Sequence, residues 1–361
     1  MDEGKIFRVR ADELKRYCAA IFSSVGVPSG DAELFSSHLV DADLRGFSSH
    51  GVMRVPIYVK RIEAGGIKPV SQITVSRESP TSALVDGGHG VGQVIAQKAM
   101  ALCIEKASAS GTAFVAVRRS NHFGMALSYS TMALARDMIG MVFTSPAAKL
   151  MAPWGGVDPI LDNNPISFAI PAGEEFPVVL DMATTVVSRG KIAIAAKKGE
   201  RIPKDWALTP DGRTTDDPRE AFDGILLPVG GYKGYGLTVI SGVLAAMLSG
   251  AALLSNEISD FYRDFSVHQN IGHLFGALRV DLFAPVSEFK ERMDRMIREI
   301  RNSRRAPGVE RIYLPGERGY LTAQTYGKEG VPLAEPVTLE LEGLGKKHGL
   351  GFLPVIGGEP R

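Results

Sequence analysis

Cysteine is almost missing from this chain of 361 residues: only Cys18 and Cys103 occur, each inside an apolar helical pattern. That argues against a disulfide framework and a cysteine-ligated metal, and both thiols are expected to be reduced and buried. A dominant charge is missing as well. Lysine and arginine total 41 against 40 acidic residues, a formal net charge of +1, with no block of five like charges. Neither a nucleic acid nor a membrane surface is an expected partner. The longest apolar stretch, residues 237–254, is broken by Ser241, Gly242, Ser249 and Gly250, and the first ten residues carry charges and no apolar core. No transmembrane or secretory segment is predicted, and the expected location is cytoplasmic.

Several catalytic signatures are also absent. There is no G-x-S-x-G elbow, so a serine hydrolase built on Ser49 or Ser120 with a histidine has little support. Five histidines, His50, His89, His122, His268 and His273, could in principle ligate a metal, but no H-E-x-x-H or comparable spacing occurs and no metal is expected. The run Gly87-Gly88-His89-Gly90-Val91-Gly92 precedes a helical pattern without matching G-x-G-x-x-G, and no acidic residue follows at ribose distance. A second run, Gly230-Gly231-Tyr232-Lys233-Gly234-Tyr235-Gly236, brings a lysine to a helix start, where amides already favour an anion, yet it lacks the Ser or Thr of a Walker loop. A tight turn with a solvated lysine is the structural alternative there.

What is present is ample apolar material, 45% of the chain, and a length at which two domains are expected. The periodicity predicts helices over residues 11–24, 30–45 and 50–64, the last kinked at Pro56 and ended by Gly65-Gly66. Strands follow at 73–78 and 82–86, then a helix at 91–108. Further strands are expected at 112–117, 139–144, 166–170, 178–181, 224–228 and 274–282, and helices near 126–136, 187–198, 234–248 and 287–302. The tail is read as a short strand at 311–314 and a helix near 336–347 opened by Pro336. The class is α/β or α+β.

The most informative segment is Ser48-Ser49-His50-Gly51-Val52-Met53-Arg54. If it opens a helix, His50 and Arg54 share a face, and a guanidinium beside an imidazole suits a small carboxylate substrate: one grips, the other exchanges a proton. The plainer account makes Ser48 or Ser49 a helix cap and Arg54 a solvated side chain. Asn121-His122-Phe123-Gly124, directly after the strand at 112–117, supplies a second histidine where strands deliver site residues, or else one satisfied by loop hydrogen bonds.

Taken together, these segments resemble the type-2 malate/L-lactate dehydrogenases, a family distinct from the Rossmann-type enzymes. The resemblance is carried by Ala42-Asp43-Leu44-Arg45-Gly46, Ser49-His50-Gly51-Val52, Asn121-His122-Phe123-Gly124, Pro153-Trp154-Gly155-Gly156, Asn164-Pro165, Leu180-Asp181-Met182-Ala183-Thr184-Thr185, Tyr232-Lys233-Gly234-Tyr235-Gly236-Leu237, Asn270-Ile271-Gly272-His273 and Leu314-Pro315-Gly316-Glu317, in order over about 275 residues. It implies a non-Rossmann NAD(P)-binding domain of mixed sheet and helices over about residues 76–229. A helical substrate and catalytic region at 1–75 would be completed by about 230–361, in a homodimer.

The implied activity is NAD- or NADP-dependent interconversion of a 2-oxo acid and its 2-hydroxy acid. The implied alternatives are ureidoglycolate or sulfolactate oxidation, diketogulonate reduction and cyclic imino acid reduction; a non-catalytic cofactor-binding protein on the same fold is the reading from another class. By the same resemblance Ser49, His50 and His122 are catalytic candidates, and Arg54 and Gly272 bind substrate. His122, Ser145, Pro146, Asp181, Met182, Ala183, Lys233 and Gly234 border the cofactor. Imine-reducing members resemble a Ser-His-Asp relay with an acid after the glycine matched by Gly190, but this chain has Lys191 there. Side chains of neighbours in a helix or strand point apart, so no direct Ser49–His50 bond is expected. Tyr58, four residues beyond Arg54, is the nearby position to watch.

Overall fold

The computed structural model describes residues 5–145 and 147–356. The chain opens with strand β1 (Ile6–Val9) and helices α1 (Ala11–Ser24) and α2 (Ser29–Leu44). Helix α1 buries Leu14, Cys18, Ile21 and Phe22 on one stripe, the spacing of a core-facing helix, and Asp12 and Glu13 complement its N-terminal dipole. Phe22 stacks on Phe35 of α2, ring centroids 3.9 Å apart.

The third predicted helix forms differently. Residues 48–54 make two 3-10 turns, Ser48–His50 and Val52–Arg54, and only then does α3 (Val55–Glu63) begin, with Pro56 in its first turn. The proline therefore starts a helix instead of kinking one, because its missing N–H lies where no intrahelical partner exists. Gly51 separates the turns with extended backbone, and the side-chain carboxylate of Asp43 fills the space beneath it and accepts the Val52 N–H at 2.7 Å. His50 and Arg54 thus do not share an α-helical face.

The body follows as β2 (Thr74–Glu78), β3 (Ser82–Asp86), α4 (Gly92–Ser110), β4 (Thr112–Ser120), α5 (Leu127–Ser130), β5 (Met138–Thr144), β6 (Ile166–Ile170) and β7 (Val178–Met182). Then come α6 (Arg189–Lys198), β8 (Ala207–Leu208), α7 (Pro218–Phe222), β9 (Ile225–Leu226), α8 (Tyr232–Gly242) and β10 (Ile271–Arg279). The chain closes with α9 (Val286–Asn302), α10 (Glu317–Glu329), β11 (Val331–Ala334) and α11 (Glu335–Lys347). One seven-stranded sheet runs β2-β3-β4-β10-β5-β6-β7. Only β3 and β4, joined through α4, are parallel; β10 arrives late in sequence and inserts antiparallel between β4 and β5. This is a mixed α/β architecture without a Rossmann order.

The first core joins α1, α2 and α3 to the C-terminal segment through Val331, Leu333, Leu341 and Leu353, and β11 pairs with β1 from Ile6↔Ala334 to Val9↔Val331. The second core lies between α4 and the sheet around Val115, Val117, Met100 and Phe275. Cys18 and Cys103 are free and buried. Residues 311–314 form no strand, and α10, which carries no predicted pattern, buries only Glu317 and Gly319, so it has no apolar period to read. The expected long helix at 126–136 is the short α5 followed by a 3-10 turn, and α8 passes into a π turn over Val243–Met247.

Candidate active site

The two 3-10 turns bring three chemically active side chains to one place. Arg54 donates its Nε–H to the carbonyl of Ser49 at 2.6 Å, which leaves the two Nη groups on the open side of the guanidinium. Its plane lies over the Tyr262 ring, 5.1 Å from the centroid, and it forms no ion pair among the described residues. Ser49 Oγ lies 3.0 Å from His50 Nδ1, contrary to the expectation that these neighbours would not bond: both sit in the short turn Ser48–His50 instead of a regular helix or strand, and the hydroxyl reaches the near ring nitrogen. Among the described residues no carboxylate bonds to His50, and Lys191 is exposed on α6, so these residues build no relay ending in an acid.

His122 leaves the end of β4 and faces this turn. Its ring lies 5.9 Å from that of His50, the planes 19° apart. Nδ1 of His122 is 2.6 Å from the hydroxyl of Tyr58, and the Gln93 amide donates to that hydroxyl at 2.9 Å. Phe261 packs against the other side of His122, with centroids 4.9 Å apart. Tyr58 thus bonds to His122, while Gln93, Phe261 and Tyr262 had no sequence signal: the first directly follows a failed glycine fingerprint and the others lie in a segment without periodicity.

The segment carrying Phe261 and Tyr262 is held by one buried arginine. Arg61, fully buried on α3, donates to the carbonyls of Phe261 at 3.2 Å, Asp264 at 3.0 Å and Val267 at 2.7 Å. Three left-handed non-glycine residues brace the β4 end: His89 (φ 64°), Arg119 (φ 52°) and Asn270 (φ 50°). The Arg119 N–H donates to Asn270 Oδ1 at 2.8 Å, its Nε–H to His89 Nε2 at 3.0 Å, and Asn121 holds the His89 carbonyl at 3.1 Å. Such strain persists where the surroundings over-determine it, here at the launch point of His122.

Ser145 and Gly272, predicted separately, meet. The Gly272 N–H donates to Ser145 Oγ at 2.8 Å and the Ser145 N–H to the Gly272 carbonyl at 2.9 Å. A Cβ on Gly272 would lie 2.3 Å from the Ala245 carbonyl, so only glycine fits. The adjoining loop reaches the histidines, since the Phe261 N–H donates to the Ala147 carbonyl at 3.0 Å. Pro146 lies outside the described residues. His273 is structural: it is buried between Thr144 Oγ1 at 2.8 Å and Ser120 Oγ at 2.9 Å.

The remaining predicted positions form a separate strip. Asp181 commits its carboxylate to the Leu127 N–H at 2.8 Å, at the start of α5, leaving Met182 and Ala183 half-buried where β7 ends. Thr184 then accepts the Val229 N–H at 2.9 Å and its hydroxyl meets Thr238 of α8 at 2.7 Å, which ties this strand end to the start of α8. There Gly230 and Gly231 take φ of 64° and 66°, Gly234 packs so closely that a Cβ would lie 1.9 Å from the Val229 carbonyl, and Lys233 is exposed without an ion pair among the described residues. A lysine at the positive end of a helix fits a phosphate. The π turn that continues α8 reaches Gly272 through Ala245, so this helical run links the strip to the Ser145–Gly272 pair.

Electrostatics keep the imidazoles neutral. Burial, then the neighbouring Arg54 cation, pushes the His50 pKa down to about 4. Burial also drives His122 well below its usual value, with His50, Arg54, His273 and Arg61 adding in the same sense. Asp260 and Asp264 oppose Arg61, whereas Arg54 has no ion pair among the described residues and is the cation beside the imidazoles that suits an anion. Among the described residues, no group of three or more His, Cys, Asp or Glu side chains is placed to hold a metal.

Comparison with known proteins identifies the family. The chain is 42% identical to the malate dehydrogenase of Pyrococcus abyssi, covering 98% of each. It is 32% identical to the (2R)-3-sulfolactate dehydrogenase (NADP(+)) of Chromohalobacter salexigens, covering 91% of this chain and 95% of that one. The ureidoglycolate dehydrogenase (NAD(+)) of Escherichia coli K12 is 30% identical, covering 86% and 88%. The solved sulfolactate dehydrogenase of Methanocaldococcus jannaschii superposes with a TM-score of 0.89 at 37% identity, covering 96% of this chain and 98% of that one. The malate/L-lactate dehydrogenase family profile matches residues 9–342. With the full length matched and a non-Rossmann sheet in common with a solved member, this chain belongs to the malate/L-lactate dehydrogenase family.

Proposed function

We propose that this protein is a NAD- or NADP-dependent 2-hydroxy acid dehydrogenase, acting on the CH–OH group of a small malate- or lactate-type carboxylate and reducing the matching 2-oxo acid in reverse. The observation that carries this is the Arg54 guanidinium, engaged through Nε alone and without an ion pair among the described residues, beside two neutral imidazoles. Two parallel N–H groups match a carboxylate, and this fixes C2 and its oxygen next to a histidine.

The chemistry that a bound nicotinamide supplies is hydride exchange at C2. The residues of the chain do the rest. In oxidation Arg54 holds the carboxylate, and a histidine removes the hydroxyl proton as C2 gives up its hydride and the carbonyl forms; in reduction that histidine returns the proton to the oxygen. His122 is assigned this role because its Nδ1 is anchored by Tyr58 of α3, which leaves Nε2 for the substrate, whereas His50 Nδ1 is engaged within its own turn by the Ser49 hydroxyl. Ser49 and His50 then contact the substrate beside it. Lys233 and Gly234, with Met182, Ala183, Ser145 and Pro146, border the cofactor, Gly272 borders the substrate, and Asp181 serves that strip by fixing α5.

In this reading the body at residues 76–229 binds the cofactor together with β10, which is hydrogen-bonded between β4 and β5, and the helical region at 1–75 meets it at the histidines. A homodimer is supported by the exposed stripe Leu237, Ile240, Val243 and Met247 on the α8 run, whose spacing presents one apolar face. No helix among the described residues is long and apolar enough to cross a membrane. A cytoplasmic enzyme is consistent with that and with the two free thiols.

The test is absorbance at 340 nm with NADH and NADPH in parallel against oxaloacetate, pyruvate, 3-sulfopyruvate, 2,3-diketogulonate and a cyclic imino acid, with malate, lactate and ureidoglycolate oxidation in reverse. Turnover of an oxo acid, abolished by His122→Asn, supports the proposal. Cofactor binding without any turnover would favour a retired enzyme, and absence of both would sink the dehydrogenase reading.

A further inference from the structure

We propose that Gln93 and Tyr58 decide which ring nitrogen of His122 carries its proton, and that reversal of the buried Gln93 amide switches His122 between a proton-accepting and a hydrogen-donating Nε2. The proposal rests on the assignment of His122 as the proton carrier. A tyrosine hydroxyl owns one hydrogen. With Gln93 Nε2 donating to the Tyr58 oxygen at 2.9 Å, that hydrogen points to His122 Nδ1 at 2.6 Å, so Nδ1 accepts and the ring proton sits on Nε2. In this state His122 offers a donor to the substrate oxygen and cannot take a proton from a hydroxyl.

Oxidation needs the opposite polarity: Nδ1–H donating to Tyr58, Tyr58 donating to an acceptor, and a bare Nε2. The acceptor is at hand. Gln93 is fully buried, and its Oε1 is buried without a hydrogen-bond partner. Turning the amide over places Oε1 against the Tyr58 hydroxyl and leaves Nε2 unpartnered instead, so the number of hydrogen bonds is unchanged and the cost of one unpaired amide atom is present either way. When Nε2 takes the substrate proton the ring is cationic, and Nδ1–H continues to donate to Tyr58. The chain conducts polarity without losing a proton, because burial holds the Tyr58 hydroxyl protonated.

Among the described residues, Tyr58 is the neighbour bonded to Nδ1 and so placed to perform this selection. The titratable and charged groups acting on His122 are His50 and Arg54 from the 3-10 turns, Tyr58 and Arg61 from α3, and His273 from β10; the segment beyond packs Phe261 on the ring, its Asp260 and Asp264 act on Arg61, and its Tyr262 acts on Tyr58. His50, Arg54, His273 and Arg61 lower its proton affinity, and Tyr58 is the one bonded to Nδ1. Gln93 and Tyr58 are therefore positioning residues, acting on the substrate through His122.

The experiment is carbon NMR of the full-length protein labelled at the histidine ring carbons, whose shifts separate the two neutral tautomers and the cation, with His122→Asn assigning the signal. Wild type is expected to show the Nε2–H form. Glu in Gln93→Glu only accepts when ionised, so His122 should move to the Nδ1–H form and titrate higher by about one pH unit. The acid limb of kcat/KM for hydroxy acid oxidation should move by a similar amount. Gln93→Met, which keeps the volume should a buried carboxylate prevent folding, should give a mixture of tautomers. In a Tyr58→Phe background the Gln93→Glu shift should vanish, which a merely structural role of Gln93 would not produce. Unmoved His122 signals in both Gln93 variants, or an equal shift without the Tyr58 hydroxyl, overturn the relay, even if His122→Asn abolishes turnover. Full turnover in His122→Asn overturns the relay together with the proton-carrier assignment.

Discussion

Arg54 reaches back to the carbonyl of Ser49, five residues earlier, with a 2.6 Å bond from Nε. This closes the two 3-10 turns on themselves and fixes the direction of the remaining fork. A lysine has no second nitrogen to do both, so Arg54→Lys should lose the turn contact or the substrate contact. The loss of a charged hydrogen bond, about 1.5–3 kcal/mol, predicts a fall in kcat/KM of roughly 10- to 150-fold, with a larger fall in Arg54→Ala. Steady-state kinetics check it; an unchanged kcat/KM in both variants would remove Arg54 from the substrate site.

Acid should destabilise the protein. Burial depresses the folded pKa of His38, His50 and His89 to about 4 and of His273 to about 3. Each binds fewer protons folded than unfolded between those values and 6.5, so its contribution is present above about 6.5 and disappears as pH falls to 4. Asp43 and Asp181, raised by burial to about 7 and about 6, act oppositely and lose stability as pH rises through that window. The histidines outnumber them, so Tm should fall from pH 7 to pH 4, with a shallower fall in His50→Gln. A calorimetric pH series that rises toward pH 4 contradicts this.

Gly272→Ala tests the junction of Ser145 with the end of the α8 run. The new Cβ would lie 2.3 Å from the Ala245 carbonyl and 2.7 Å from the Ala251 Cβ, contacts that backbone has to relieve. Overpacking of this kind costs about 1–3 kcal/mol, and the shift carries Ser145 with it. Denaturant unfolding should show the loss, accompanied by weaker substrate binding.

Arg61→Met should loosen the aromatic wall. It leaves the carbonyls of Phe261, Asp264 and Val267 without their donor, at about 1–3 kcal/mol for each that stays buried. The expected result is faster limited proteolysis within residues 259–268 and a raised substrate KM. Proteolysis confined to other segments would show that Arg61 does not hold this one.

Lys233→Ala should weaken cofactor binding on the order of tenfold, the value of one charged hydrogen bond to a phosphate. Titration of protein fluorescence with NADH and NADPH measures it. An unaltered affinity for both would move the phosphate site away from α8.

Much of the fold was legible because α1 and α2 bury one stripe at helical spacing and strands such as β5 alternate buried and part-buried residues. Ala11–Ser24 and Ile166–Ile170 appear at the expected positions. The failures have physical causes. Glycine at 51, forced by the Asp43 carboxylate, breaks what reads as one helix into two turns. Helix α10 carries no apolar stripe to detect. Within the site, Arg54, His50 and His122 could be chosen from residue type and neighbours, whereas the tautomer partners and the aromatic wall could not.

The sequence by itself determined the chemical inventory and its family: a guanidinium, two imidazoles beside strand and turn signals, and glycine loops that fit no Rossmann pattern. It also determined the local elements, because helix and strand periods are properties of neighbouring residues. Tertiary structure alone decided that Tyr58 meets His122 across 64 residues and that Arg61 reaches Phe261 across 200. Contacts of that separation leave no period in the chain. They arise when burial of two cores brings α3, the end of β4 and the segment before β10 together, and the polar groups trapped there must satisfy one another.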